Sequence, residues 1–167
     1  MANYSSAVKV TRSSLKVGDN APEFSLRADG GVKVILSKLK GKNVALYFYP
    51  KDDTPECTIE SKDFSDLMAE FADLDTAIIG VSCDTPQSHE KFKEKYCLPF
   101  TLASDEDGKV CETYGVWGET NMYGDKYMGI ERTTFLIDKQ GKIARIWPRV
   151  EVDGHAREVL DATKALK

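Results

Sequence analysis

Apolar residues fall into short clusters along this chain, and the spacing within each cluster predicts an element. Phe24-Ser25-Leu26 and Val32-Lys33-Val34 alternate apolar with polar around Asp29-Gly30-Gly31, the pattern of two short strands joined by a turn. Residues 43–49 (NVALYFY) form a dense apolar and aromatic run ended by Pro50, which suits a strand buried on both faces. From Pro55 onward the apolar positions Phe64, Leu67, Met68 and Phe71 recur at helical spacing. Residues 76–81 (TAIIGV) predict a second buried strand. Asp84-Thr85-Pro86 then supplies a cap and a first-turn proline for a helix that carries His89, Phe92 and Tyr96 on one side and stops before Pro99. Residues 133–137 and 142–147 flank Asp138-Lys139-Gln140-Gly141, a hairpin turn. A last helix, capped by Asp153, is expected to bury Val159, Leu160, Thr163 and Leu166.

The order is a short N-terminal hairpin, then strand, helix, strand, helix, β-hairpin and helix. A buried sheet flanked by helices satisfies it, which makes the fold class α/β. It is also the order of a thioredoxin-like fold with an N-terminal β-hairpin extension. No repeat or linker interrupts the pattern, so residues 15–167 are expected to form a single domain behind a flexible tail, residues 1–14.

Composition narrows the function classes. With 167 residues, 41% apolar and a net charge of -4, the chain can bury a substantial core and has no basic surface to recruit nucleic acid or an anionic membrane. The N-terminus lacks the continuous apolar run of a secretory signal, which points to a cytoplasmic protein with reduced thiols. Of its four cysteines, Cys57, Cys83, Cys97 and Cys111, no two have the short spacing of a structural zinc site, and His89 and His155 lie far apart. Neither a metal nor another cofactor is expected.

The segment Tyr49-Pro-Lys-Asp-Asp-Thr-Pro-Glu-Cys57 carries the chemistry. A buried strand ends and a helix begins, with Thr54 as its N-cap and Pro55 at its first position. Cys57 falls in the first helical turn, where unpaired N–H groups and the dipole favour the thiolate, the nucleophilic form. The position lies beyond the carboxyl end of a central strand, where open α/β sheets place ligands. Residue pattern alone leaves two readings open: a reactive thiol, or a small buried hydrophobe.

Residues 48–60 (FYPKDDTPECTIE) closely resemble the peroxidatic loop of peroxiredoxins, and most of all the bacterioferritin comigratory protein (PrxQ) branch. A second match runs through Tyr114-Gly-Val-Trp-Gly-Glu, Tyr127-Met-Gly-Ile and Glu131-Arg-Thr-Thr-Phe-Leu-Ile-Asp138, so that similarity spans about residues 15 to 165. The resemblance implies a thiol-dependent peroxidase acting on hydrogen peroxide and organic hydroperoxides. The family's Pro-x-x-x-Thr-x-x-Cys pattern falls on Pro50, Thr54 and Cys57, and its distant arginine on Arg132. By that carry-over Cys57 attacks the peroxide and becomes a sulfenic acid, Thr54 offers its hydroxyl to the bound oxygens, Arg132 supplies fixed charge, and Pro50 shields the thiolate.

Two departures bear on mechanism. Glu56 stands where many relatives have glycine and is expected to point outward. Lys62, the fifth position after Cys57, and Lys93 stand where relatives keep a resolving cysteine. The expectation is therefore a one-cysteine mechanism with an external thiol as reductant. The alternative is an atypical two-cysteine mechanism in which Cys83 or Cys97 resolves Cys57 and thioredoxin is the reductant. A monomer or weak homodimer is expected. A thiol-disulfide oxidoreductase would want Cys-x-x-Cys, but Thr54 and Glu60 stand three positions either side of Cys57. A non-catalytic adapter would have no use for Thr54, Cys57 and Arg132 together.

Overall fold

A computed structural model describes residues 15–122 and 125–166, so the tail expected over residues 1–14 lies outside the described residues. Strands β1 (Ser25–Ala28) and β2 (Lys33–Ile35) pair antiparallel across a one-turn 3-10 segment, Asp29–Gly31. Strand β3 (Asn43–Phe48) leads to helix α1 (Pro55–Asp66) and its short continuation α2 (Met68–Asp73). Strand β4 (Thr76–Ser82), helix α3 (Pro86–Tyr96), strand β5 (Thr101–Ser104) and helix α4 (Lys109–Thr113) follow. The chain ends with ribbon β6 (Trp117–Met122) and β7 (Asp125–Ile130), hairpin β8 (Thr133–Ile137) and β9 (Ile143–Trp147), and helix α5 (His155–Lys164).

The main sheet runs β2-β1-β5-β4-β3-β8-β9, with β3, β4 and β5 parallel and the outer strands antiparallel. Alternation in β3 feeds two cores. Val44, Leu46 and Phe48 pack with Phe24, Leu26 and Cys111 of α4 on one face. Ala45 and Tyr47 pack with Cys57 and Phe64 of α1, Phe71 of α2, Phe92 of α3, and Val159 and Leu160 of α5 on the other. This is the expected sheet flanked by helices. Among the described residues, no helix is long and apolar enough to cross a membrane.

Helix α1 is held on that second face from several points. Tyr47 stacks on Phe64 with ring centroids 4.9 Å apart, and its hydroxyl meets Ser61 Oγ at 2.8 Å. The Tyr47 ring also lies against β4, where a Cβ built on Gly80 would come within 2.8 Å of the ring and its oxygen. Gly80 lets this tyrosine reach α1.

The structure departs from the sequence expectations in four places. The helix after Pro55 breaks at Leu67 into α1 and α2. Strand β5 and the β6–β7 ribbon have no counterpart in the predicted elements. Helix α5 is capped by Gly154 in a left-handed conformation, with no side-chain cap from Asp153. Thr54 has the extended backbone of an N-cap, yet its hydroxyl donates to Lys51 O at 2.8 Å and makes no side-chain cap.

Candidate functional site

Pro50, Thr54, Cys57, Cys83 and Arg132 line one cavity of about 690 Å³ at the carboxyl ends of β3 and β4. Its floor is the start of α1. The first hydrogen bond of that helix runs from Thr58 N–H to Thr54 O (2.9 Å), which leaves the N–H groups of Glu56 and Cys57 without a partner in the helical ladder. The thiol of Cys57 is 1% exposed and borders both the cavity and the apolar core. Glu56 is exposed, as expected.

The loop before α1 is fixed by two successive aspartates. Asp52 is buried, and its carboxylate accepts from Tyr49 Oη (2.6 Å) and Ser88 Oγ (2.8 Å) and meets His89 Nδ1 at 2.8 Å. The other ring nitrogen of His89 meets Ala103 O at 3.0 Å, so that one side chain joins the loop, α3 and β5. Asp53 takes a left-handed conformation, φ 58°, while its carboxylate accepts from Lys95 Nζ at 2.8 Å and Tyr96 Oη at 2.7 Å. Those donors, Lys95 above all, hold its carboxyl below the ordinary range. Asp52 N–H also donates to Asp84 Oδ2 at 2.7 Å. Helix α3 therefore carries the loop that presents Cys57.

Arg132 enters from the start of β8. Its side chain is 11% exposed, and its Nη1 donates to Glu60 Oε1 at 2.7 Å. Burial opposes its charge, but the neighbouring Glu60 and Cys57 outweigh that and hold the arginine above its ordinary range. Glu60 is one turn after Cys57 on the same helical face, and its side chain is 1% exposed. Burial pushes its carboxyl up to about 7 despite Arg132, and its Oε2 has no hydrogen-bond partner among the described residues. Sequence reasoning missed Glu60. The signal was there in its spacing from Cys57, but a glutamate in a helix of mixed polarity reads as a solvated one.

The opposite wall comes from the β6–β7 ribbon. Trp117 and Ile130 are register partners, Gly118 faces Gly129, and Glu131 N–H donates to Val116 O at 2.7 Å at the base of the ribbon. Trp117, Met128 and Ile130 give the cavity an apolar side, with Met128 at the rim 55% exposed.

The cysteines separate by position. Cys97 is exposed at the C-cap of α3 in a left-handed conformation and does not line the cavity. Cys111 is buried in α4. Cys83, directly after β4, is half-buried and does line it. Lys62 is exposed on α1, and Lys93 is tied to Asp29 at 2.7 Å.

Among the described residues, two groups of side chains have the proximity of metal ligands: Cys83 with Asp105 and Cys111, and Asp52 with Asp84 and His89. The second is a hydrogen-bond network already saturated by Tyr49, Ser82 and Ser88. In the first, both Asp105 oxygens accept backbone N–H groups, from Val110 (3.2 Å) and Cys111 (2.8 Å).

Comparison with known proteins gives concordant findings. The AhpC/TSA family model matches residues 17–146. The chain is similar to a putative peroxiredoxin bcp of Coxiella burnetii, 52% identical over 147 residues covering 88% of this chain and 97% of that one. It is 48% identical to peroxiredoxin Bcp of Bacillus subtilis over 151 residues, 90% of this chain and 96% of the other. Among solved structures it is similar to the bacterioferritin comigratory protein of Xanthomonas campestris, with TM-score 0.81, 42% identity, and coverage of 85% and 90% of the two chains. That protein was solved as trapped intermediate and ligand complexes in connection with its alkyl peroxide reduction activity.

Proposed function

Because this chain belongs to the AhpC/TSA family, in its peroxiredoxin Bcp/PrxQ branch, and is a thiol-dependent peroxidase, we propose that its chemistry runs through Cys57 in the cavity beside Arg132. The carrying observation is that Arg132, distant in sequence, lines one cavity with Pro50, Thr54 and Cys57. The Cys57 thiolate attacks the terminal peroxide oxygen. The O–O bond breaks, the sulfur becomes a sulfenic acid, and an alcohol or water leaves with a proton. The N–H groups that the helical ladder leaves over at the start of α1 and the Arg132 guanidinium face the charge that moves from sulfur to the leaving oxygen. Thr54 Oγ1 donates to Lys51 O and keeps lone pairs that accept from a peroxide O–H. Glu60 aims Arg132 through their ion pair.

Substrate class follows from the walls. A cavity of about 690 Å³ with Trp117, Met128 and Ile130 on one side admits an alkyl group as well as hydrogen peroxide. Alkyl peroxide reduction by the Xanthomonas campestris relative supports the same class. A thiol reductant returns Cys57 to its starting state. One route has an external thiol reduce the sulfenic acid directly. Between the two candidate resolving residues, the cavity favours Cys83 over Cys97, because Cys83 lines it.

The test is one equivalent of cumene hydroperoxide added to the Cys83→Ser variant with dimedone present, followed by peptide mass spectrometry. Dimedone on Cys57 is expected; modification of another cysteine with Cys57 untouched would remove Cys57 from the centre.

A further inference from the structure

The structure places two more thiols within 4.8 Å of each other behind the cavity. Strands β4 and β5 run parallel with Ser82 opposite Ser104, which brings Cys83 and Asp105 side by side just past their ends. Asp105 N–H donates to Ser82 O at 2.8 Å and fixes that junction. The Asp105 carboxylate, 1% exposed, holds the first turn of α4 through the N–H groups of Val110 and Cys111. Cys111 is thereby turned toward Cys83: the two sulfurs and an Asp105 oxygen all lie within 4.8 Å of one another. Each thiol is the leading electrostatic influence on the other. Cys83 is half-buried and open to the cavity that holds Cys57, whereas Cys111 is closed off in the core.

Resting on the reading of Cys57 as the peroxide-reducing thiol, we propose that Cys83 and Cys111 form an internal dithiol that resolves the Cys57 sulfenic acid by a two-step relay and ends as a Cys83–Cys111 disulfide.

The steps balance. Cys83 thiolate attacks the Cys57 sulfenic sulfur, forming a Cys57–Cys83 disulfide and expelling hydroxide. Hydroxide takes the Cys111 proton and leaves as water. Cys111 thiolate attacks the Cys83 sulfur, forming the Cys83–Cys111 disulfide and releasing Cys57 as thiolate. The sulfur of Cys57 regains the two electrons it gave to the peroxide, and the dithiol loses them. An external dithiol then reduces the Cys83–Cys111 bond by exchange and restores the cycle.

The local electrostatics fit this order. The neighbouring Cys111 thiol is the leading cause that lowers Cys83, so the thiol open to the cavity is the readier nucleophile. Cys83, burial and Asp105 together raise Cys111. Once the Cys83 sulfur is bonded to Cys57, the largest of those causes is gone, which favours attack by Cys111 on the mixed disulfide over attack before it forms. A disulfide here requires the sulfurs to close from within 4.8 Å to about 2.05 Å.

The experiment is a time course of the full, reduced chain with one equivalent of cumene hydroperoxide. It is quenched by alkylation and mapped by non-reducing peptide mass spectrometry, with peroxide loss followed in parallel. Expected in the unmodified chain is near-stoichiometric Cys83–Cys111 disulfide with Cys57 returned to a free thiol. Cys111→Ser, or Cys111→Ala if serine disturbs the core, should stop at a Cys57–Cys83 disulfide, and Cys83→Ser should leave a dimedone-reactive sulfenic acid at Cys57. Cys57→Ser should form no Cys83–Cys111 disulfide with one equivalent of peroxide. A lasting sulfenic acid on Cys57 of the unmodified chain, or a Cys57–Cys83 bond that never passes to Cys111, would overturn the relay while leaving Cys57 as peroxidatic. Loss of peroxide without oxidation of Cys57 would overturn the reading beneath it.

Discussion

The guanidinium of Arg132 is shared between Glu60, at 2.7 Å from Nη1, and the sulfur of Cys57, one helical turn earlier on the same helix. In the proposed reaction, a thiolate that attacks peroxide and a carboxyl that attacks nothing thus depend on the same buried cation. The balance between them sets how much of the positive field reaches the reacting oxygens.

Arg132→Met tests that arrangement. It removes the cation from both neighbours while keeping much of the buried volume. Oxidation of Cys57 by one equivalent of peroxide, followed by stopped flow, should slow by about 10²- to 10³-fold. Glu60 loses its partner and moves further toward the protonated form, so the variant should lose less stability at pH 5.5 than at pH 8. Equal rates in the two proteins would place Arg132 outside the chemistry.

Cys57→Ser changes one buried atom and little volume. Peroxide consumption with dithiothreitol should fall to the level of buffer alone, while the circular dichroism spectrum and melting temperature stay close to those of the unmodified chain. Turnover that survives this change would assign the reaction to another thiol.

Glu60 and His155 should shape stability against pH in opposite senses. Burial raises Glu60 from 4.5 to about 7, so the folded state keeps a proton that the unfolded chain has released. This contribution is complete below pH 4.5 and is lost as pH rises to 7, an effect of up to about 3 kcal/mol. Burial first, then the Arg132 charge, lowers His155 from 6.5 to about 4, so its contribution is complete above pH 6.5 and is lost as pH falls to 4. The two slopes offset each other between pH 4.5 and 6.5. In Glu60→Gln only the histidine slope remains, and urea-unfolding free energy should rise with pH across that window. A curve that falls there would show that Glu60 is not the proton holder.

His89→Gln should loosen the loop without touching the site. The ring links Asp52 on the loop to Ala103 O on β5, and glutamine cannot span both. We expect a loss of about 2 to 4 kcal/mol in unfolding free energy, because buried partners are left unsatisfied. Cys57 oxidation should slow with it. The conservative His89→Asn, which can still reach Asp52, should retain more of both; identical losses in the two variants would remove the loop anchor from the explanation.

Much of this was legible before any coordinates. Residues 43–49 read as a buried strand because both faces of β3 are covered, and Asp138–Gly141 read as a turn because glycine and aspartate supply the conformations it needs. The Cys57 loop was legible because strand, proline, threonine and cysteine fall in a tight local order. What was hidden is long-range. The β6–β7 ribbon mixes glycine with charged and apolar residues, and its apolar side appears only when Trp117 faces Ile130. Cys111 meets Cys83 through the parallel pairing of β4 with β5, which no local pattern announces. Gly154 caps α5 with a positive φ of 73°, which left Asp153 with nothing to cap.

The Asp29–Lys93 contact has a dynamic consequence. Asp29 sits in the N-terminal hairpin turn, donates no charge to the active cavity, and accepts from Lys93 Nζ at 2.7 Å and from Leu102 N–H at 2.9 Å. It fastens the last turn of α3 to the sheet, while Asp52 and Asp53 fasten both ends of the same helix to the loop. Such a helix does not fray on its own: its amides should exchange with deuterated solvent only through openings that also expose β1 and β5. Cys97, at its far end, would need that helix to melt before it could travel to Cys57. Under the proposed relay, then, electrons reach Cys57 through the packed interior rather than through unfolding at the surface.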